Sequence, residues 1–331
     1  MKVCLIGHFR GNTDEGFRNV SHNISVHLQK LHEVHSIDAG VSIFPEALRM
    51  HSPSVVHQVA GPSLRAFLTL RYVGMLTGAP TVLSALHPEC LQLFSKGIRR
   101  SLVPLLRPKV VLVQSHTSDE LFRGLGCNTR LLPNGVDTGR FVPVCEEEKL
   151  KLREKYGIDK ERFVVLHVGH IINERNLQVF RDVRREDIQV VVVASTHKPF
   201  DEAVFRLLKE LGCKVIAEYL PKVEEVYQLS DCYVFPAMEN NSIFMPLSVL
   251  EAMACNLPVI TTRFEGLTTF FGEGNGLFFV DSRGQDDILS LIDEISDGVK
   301  VSNRERVLPY SWENISIELT KIYTEVLEGD E

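Results

Sequence analysis

The sequence predicts an α/β chain of two Rossmann-like domains, and three observations carry that reading. A chain of 331 residues has room for two hydrophobic cores of ordinary size. Apolar runs of strand length at 54–59, 81–85, 110–114 and 188–194 alternate with helical stretches, and continuous Val/Leu/Ile runs belong to parallel strands covered on both faces. The order strand, Gly-containing loop, helix occurs twice, first after residues 2–7 and again after 162–168, where Gly169 opens the turn. That order is the opening unit of a nucleotide-binding α/β domain.

Composition bounds the function. With 44% hydrophobic and 24% charged residues, the chain reads as soluble and globular rather than disordered. A net charge of −7 gives no electrostatic reason to bind nucleic acid. Seven cysteines are an odd number without a CxxC pair or metal-ligand spacing, as expected of free thiols in a reducing compartment. The apolar start MKVCLIGHF is too short for a secretory signal. The longest apolar stretch, 64–86, is broken by Arg65, Arg71, Gly74, Gly78 and Pro80, so a helix followed by a strand is expected there, not a bilayer span. The expectation is a soluble, cytoplasmic protein.

In the first half, a loop (HFRGNTDEGFRN) leads from the first strand into a helix carrying Val20, Ile24 and Leu28. His87 falls just beyond the strand TVLSAL. Ligands of open α/β sheets lie at the carboxyl ends of strands, so His87 is either a site residue or a solvated loop residue. Residues 96–109, KGIRRSLVPLLRPK, set Lys96, Arg99, Arg100, Arg107 and Lys109 among apolar positions. A basic amphipathic stretch of this kind can lie on an anionic bilayer; the alternative is an ordinary solvated helix. The dense mixed charge of CEEEKLKLREKYGIDKE reads as an exposed helix, with the linker between domains at about 142–148.

In the second half, four consecutive valines in 188–194 mark a central strand. Helices are expected at 202–211, 223–230 and 286–295, with strands at 214–217, 232–235, 259–261 and 276–280. The stretch PAMENNSIFMPLSVLEAMACNLPVITT (236–262) reads as loop, helix, strand. Its polar run Glu239, Asn240, Asn241 and Ser242 suits a loop, and Pro246 suits a first helical turn. Leu247, Leu250, Met253 and Ala254 recur at helical spacing, and Glu251 stands among them. A helix start offers unpaired amides and a positive dipole end to a phosphate, and a carboxylate one turn further in can hold sugar hydroxyls. YSWENISIELTKIYTEVLEGDE reads as an amphipathic final helix with Trp312, Ile315, Leu319, Ile322 and Val326 on one stripe.

PLSVLEAMACNLPVITT resembles the donor-binding segment of retaining GT-B glycosyltransferases of the family 4 type, the glycosyl transferases group 1. LLPNGVDTGRFVP is similar to that family's "IPNGVDxxxF" run, and the SWE ending is similar to its final helix. The resemblance implies two Rossmann-like domains facing across a cleft, residues 1–143 on the acceptor side and 144–308 on the donor side. Residues 309–331 would cross back to the first domain. It implies that Glu251 holds the ribose of a nucleotide diphosphate sugar, with Met245 and Leu247 at the helix start. His170 and Arg175 stand where the family's "VGRxxxxKG" places the cations that face the diphosphate. Glu15 and Gly16 stand for its Gly-rich loop, and His87 for its histidine near the reacting sugar. The implied activity is hexosyl transfer with retention, needing no metal or other cofactor, to a glycan, small-molecule or lipid-linked acceptor. The chain departs from the pattern twice: Ile243 or Phe244 replaces an upstream glutamate, and Pro246 replaces a glycine. A non-catalytic nucleotide-sugar-binding or regulatory protein is therefore the alternative. A nucleotide-sugar epimerase is weaker for want of an acid/base pair, and no GxGxxG fingerprint supports a nicotinamide enzyme.

Overall fold

The computed structural model describes residues 1–39, 52–197, 199–238, 243–281 and 285–329. The loop expected at Glu239, Asn240, Asn241 and Ser242 lies outside them. Two six-stranded sheets make up the chain. The first holds β1 (Lys2–Gly7), β2 (Glu33–Asp38), β3 (Val55–Ala60), β4 (Thr81–Ala85), β5 (Val110–Val113) and β6 (Thr129–Leu131) in the order β2-β1-β3-β4-β5-β6. The second holds β7 (Phe163–Gly169), β8 (Ile188–Ala194), β9 (Lys214–Ile216), β10 (Cys232–Phe235), β11 (Val259–Thr262) and β12 (Leu277–Val280) in the order β12-β11-β10-β7-β8-β9. Every pairing of neighbouring strands is parallel. Chain order therefore reverses between β1 and β3 in one sheet and between β7 and β10 in the other, and such reversals open a crevice at the carboxyl ends.

The valine runs are explained by burial on both faces. Cys4, Ile6, Val56, Leu83 and Val111 face a core with the Leu64–Thr77 helix, while Val3, Leu5, Val55, Val82 and Val110 face the Gly16–Leu28 helix and the final helix, Trp312–Glu328. In the second sheet Val164, Leu166, Val191 and Val193 face one core, and Val165, Val190 and Val192 face another. Local chemistry ends the helices where the sequence turns. Ser63 accepts from the Ala66 amide at the start of Leu64–Thr77, and Gly78, at φ 72°, ends it in the left-handed conformation.

The final helix buries Trp312, Ile315, Leu319, Ile322 and Val326 against the first sheet, each apolar side chain worth about 2 kcal/mol. Its entry is fixed by the PNGVD segment. The Val136 amide donates to the Tyr310 carbonyl at 3.0 Å and the Trp312 amide to that of Val136 at 3.2 Å. A Cβ at Gly135 would lie 2.5 Å from the Trp312 ring, so the glycine of that turn is required by the tryptophan of the last helix.

Histidines tie this helix down along its length. His27 Nε2 lies 3.0 Å from Glu313, and His32 Nε2 2.9 Å from the Thr320 hydroxyl. His57, fully buried on β3, meets the Tyr323 hydroxyl at 2.6 Å and the Ser84 hydroxyl at 2.8 Å. Burial pushes the His57 pKa down to about 3 from its ordinary value of 6.5, so the unfolded chain takes up this proton first. The neutral ring's contribution is complete above about pH 6.5 and is lost as pH falls toward 3. Urea midpoints should accordingly drop as pH falls through this window. His57→Gln, which keeps a polar side chain between Tyr323 and Ser84, should lose part of that slope; an unchanged slope would contradict the assignment.

Candidate active site

The carboxyl ends of the two sheets face one cleft of about 490 Å³. From the second sheet, the loop after β7 brings Gly169 and His170 to its wall and then a 3-10 turn, Asn173–Arg175. Arg175 is buried at 7% exposure. Its guanidinium lies over the Phe235 ring, 5.6 Å from the centroid. Among the described residues it forms no ion pair and its side chain donates no hydrogen bond; Nε is fully enclosed. Burial pulls its pKa down, against the opposing fields of Tyr233 and Glu174. A buried cation with no counter-ion is costly, and a guanidinium so placed presents its remaining N–H groups to an anion.

Beside it, the segment after β10 supplies Ile243, Met245 and the start of the Leu247–Ala254 helix. Pro246 sits one position before that helix, in extended backbone, and not inside the first turn as the sequence predicts. It withholds no helical amide there; no side chain caps the helix, and the Val249 amide donates to the Pro246 carbonyl at 3.2 Å, which leaves the two amides before it to a ligand. Glu251, one turn in, lines the same cleft. Its Oε2 accepts from the Tyr227 hydroxyl at 2.7 Å. Burial pushes the Glu251 carboxyl above the usual range, while the Tyr227 bond and the Arg140 charge pull the other way. Arg140 is itself aimed by Glu224, which accepts from its Nε at 2.7 Å, and by the Pro221 carbonyl, which accepts from Nη2 at 2.7 Å.

The first half closes the cleft. His87 stands two residues beyond β4 with its ring stacked on Phe17, centroids 6.3 Å apart. Gly16 also lines the cleft, with open space where a Cβ would be. The sequence places Gly16 in a loop; it is instead the first residue of its helix, and the Glu15 carboxylate caps that helix by accepting from the Phe17 and Arg18 amides, both at 3.0 Å. Those amides are thus engaged, whereas the Leu247–Ala254 helix start has no side-chain cap.

All the residues singled out in the sequence (Gly16, His87, Gly169, His170, Arg175, Met245, Leu247 and Glu251) line this one cleft. Sequence reasoning missed the contacts that close it. Asp14 Oδ2 accepts from the Thr196 amide at 2.6 Å and its hydroxyl at 2.7 Å, and the Asp14 carbonyl accepts from Ser195 Oγ at 2.9 Å. Asn134, in the PNGVD turn, donates to the Met245 carbonyl at 3.1 Å and accepts from Gln114 at 2.7 Å. Phe244 packs into the core of the first sheet. Tyr227 and Arg140 were likewise missed; Arg140 alone had a signal, its place beside the PNGVD turn.

Residues 148–306 match the family model described as glycosyl transferases group 1. The chain is 28% identical over 221 residues to the D-inositol 3-phosphate glycosyltransferase of Geodermatophilus obscurus, covering 60% of this chain and 48% of that protein. It is 21% identical over 177 residues to an Escherichia coli UDP-Gal:alpha-D-GlcNAc-diphosphoundecaprenol alpha-1,3-galactosyltransferase, covering 50% of this chain and 45% of the relative. The chain thus spans about half the length of the curated relatives it matches. Among solved structures, a Rickettsia africae glycosyltransferase superposes with a TM-score of 0.77 at 16% identity, covering 98% of each chain. Anabaena HepE, solved in complex with UDP, gives 0.75 at 14% identity, covering 98% of this chain and 99% of that one. These likenesses establish the GT-B fold, two parallel sheets facing across a cleft.

A buried guanidinium with no ion pair among the described residues should weaken the ligand-free protein. Arg175→Met, which keeps the volume and drops the charge, should raise the unfolding free energy by about 1–3 kcal/mol, read by denaturant melts without ligand. A loss of stability of that size would mean that the charge has a partner in the protein.

Proposed function

We propose, from the match of residues 148–306 to the glycosyl transferases group 1 model, that the protein is a retaining glycosyltransferase moving a hexose from a nucleotide diphosphate sugar to an acceptor. The observation that carries the reading is Arg175, a buried cation without a counter-ion among the described residues, lining one cleft with Glu251 and a helix start that has no side-chain cap. In this reading residues 144–308 hold the donor. Glu251 accepts from the ribose hydroxyls. Arg175, His170 and the amides near Met245 and Leu247 face the diphosphate, and with the protein supplying that charge no metal or other cofactor is invoked. The charge that develops on the leaving diphosphate is met by groups already in place, commonly the largest catalytic effect. His87 and Gly16, on the 1–143 side, face the sugar and acceptor, and 309–331 fastens the halves together. HepE, whose structure holds UDP, supports a uridine nucleotide as the first donor to try.

The acceptor is proposed to be lipid-linked, as the name of the E. coli relative states for that protein, with the chain working in the cytoplasm at a membrane face. Among the described residues no helix is long and apolar enough to cross a bilayer. The helix Ile98–Leu106 instead exposes Ile98 at 77% and Leu105 at 70%, flanked by Lys96, Arg99, Arg107 and Lys109. Apolar side chains with a basic surround suit an anionic interface. Co-sedimentation should show binding to vesicles containing phosphatidylglycerol and little to phosphatidylcholine alone, weakened by salt and by Arg99→Glu with Ile98→Ser. Equal binding to both vesicle types would remove the membrane from the proposal.

Calorimetry with UDP, GDP and ADP sugars, followed by donor consumption, tests the central reading. Glu251→Gln should weaken binding about tenfold or more in a protein that remains folded; unchanged affinity would put the donor elsewhere. Binding without turnover on any acceptor would favour a non-catalytic nucleotide-sugar-binding protein, a reading favoured by Ile243 and Phe244, which both line the cleft and either of which stands where the resemblance implies a carboxylate.

A further inference from the structure

We infer that Tyr227 is a positioning residue for Glu251, and that the short helix Glu224–Gln228 aims both charged groups at this end of the cleft. The inference rests on the reading of Glu251 as the acid that holds ribose. Tyr227 is fully buried, its ring 5.5 Å from that of Phe141 and 5.7 Å from that of Tyr233. Its hydroxyl spends its proton on Glu251 Oε2. Three residues earlier, on the same side of one helical turn, Glu224 holds Arg140. No other hydrogen bond reaches the Glu251 carboxylate among the described residues, so Tyr227 sets its rotamer while the second oxygen is left for a ligand.

Glu251 is faced by Tyr227 and Glu224 from that helix, by Arg140 and Asp137 from the segment after β6, by Tyr233 from β10, and by Cys255 at the end of its own helix. Burial raises its pKa and Tyr227 opposes the rise. Nucleotide affinity should therefore decline as pH falls through this value, and the decline should begin at higher pH once the Tyr227 hydroxyl is gone. Burial likewise holds the Tyr227 phenol protonated, so it remains a donor throughout.

The experiment is calorimetry from pH 5 to 8 with whichever of UDP, GDP or ADP binds the wild type most tightly, and with its 2′-deoxy counterpart. The wild type should prefer the ribonucleotide by about tenfold. Tyr227→Phe should bring that ratio close to one and move the acid limb of binding to higher pH. Replacing Tyr227 with 3-fluorotyrosine, a more acidic donor of almost the same shape, should move the limb to lower pH and keeps the question open to an answer if the phenylalanine variant does not fold. A wild-type ratio and limb in both variants would overturn the positioning role alone. A wild type that binds no nucleotide, or binds without preference for ribose, would overturn the reading of Glu251 and this inference with it.

Discussion

The arrangement depends on one charge that finds no counter-ion among the described residues. Arg175 is carried into the interior by a 3-10 turn at the end of β7 and laid over the Phe235 ring on the neighbouring strand. Chain order reverses between these two strands, so the loops that leave them diverge and a ligand-sized space remains between. Placing a guanidinium there costs desolvation that an aromatic face returns only in part. An α/β sheet has no structural need of such a residue at this point. The cost is intelligible if an anion supplies the missing counter-charge.

A second constraint keeps that space closed on its other side. Asp14 reaches from the loop after β1 to the Ser195–Thr196 turn after β8, and Asn134 holds the carbonyl of Met245. Glu265 accepts from the Thr117 amide, placing a carboxylate at the start of the His116–Gly124 helix. Phe244 anchors the segment before the Leu247–Ala254 helix in the first core. A Cβ at Gly266 would fall 2.5 Å from the Phe244 carbonyl oxygen, so a glycine is what lets this anchor seat. These contacts join the halves at several points of the rim, and they are mostly polar. Polar contacts at a wet edge are individually weak.

How much of this was legible in the sequence follows from the range of each interaction. Most strands were readable because burial on both faces leaves an unbroken apolar run; β2, with no fully buried residue, and the three-residue β6 carry no such run and were missed. The final helix was readable because its stripe faces a single surface. Glu251 and Arg175 were readable because each is a charge in a stretch whose local structure is plain. Tyr227 was not: its ring reads as core, and its proposed role arises only because Glu251, 24 positions away, is folded against its hydroxyl. Asp14 and Thr196 are separated by 182 positions, and no local pattern records such a pair. Gly16 was misplaced for a subtler reason. A glutamate can cap a helix through its own side chain, so the helix begins one residue after Glu15 and takes in a glycine that reads as loop.

The same accounting explains why the two halves of the cleft are not equivalent toward an anion. Both present a helix start, and a helix start attracts negative charge through its free amides and dipole. In the Gly16–Leu28 helix that demand is already met by Glu15, whose two carboxylate oxygens accept from successive amides. A diphosphate approaching there would meet a carboxylate in its place. The Leu247–Ala254 helix has only Pro246 before it, a residue with no side-chain acceptor to offer. The proline before the helix withholds no helical amide and leaves those of Leu247 and Ser248 without a side-chain cap, and across the crevice stands Arg175, which has no ion pair among the described residues. Electrostatics therefore supports the proposal that the anion sits on the second half, with the first half, where His87 stacks on Phe17, facing the uncharged parts of the proposed ligand.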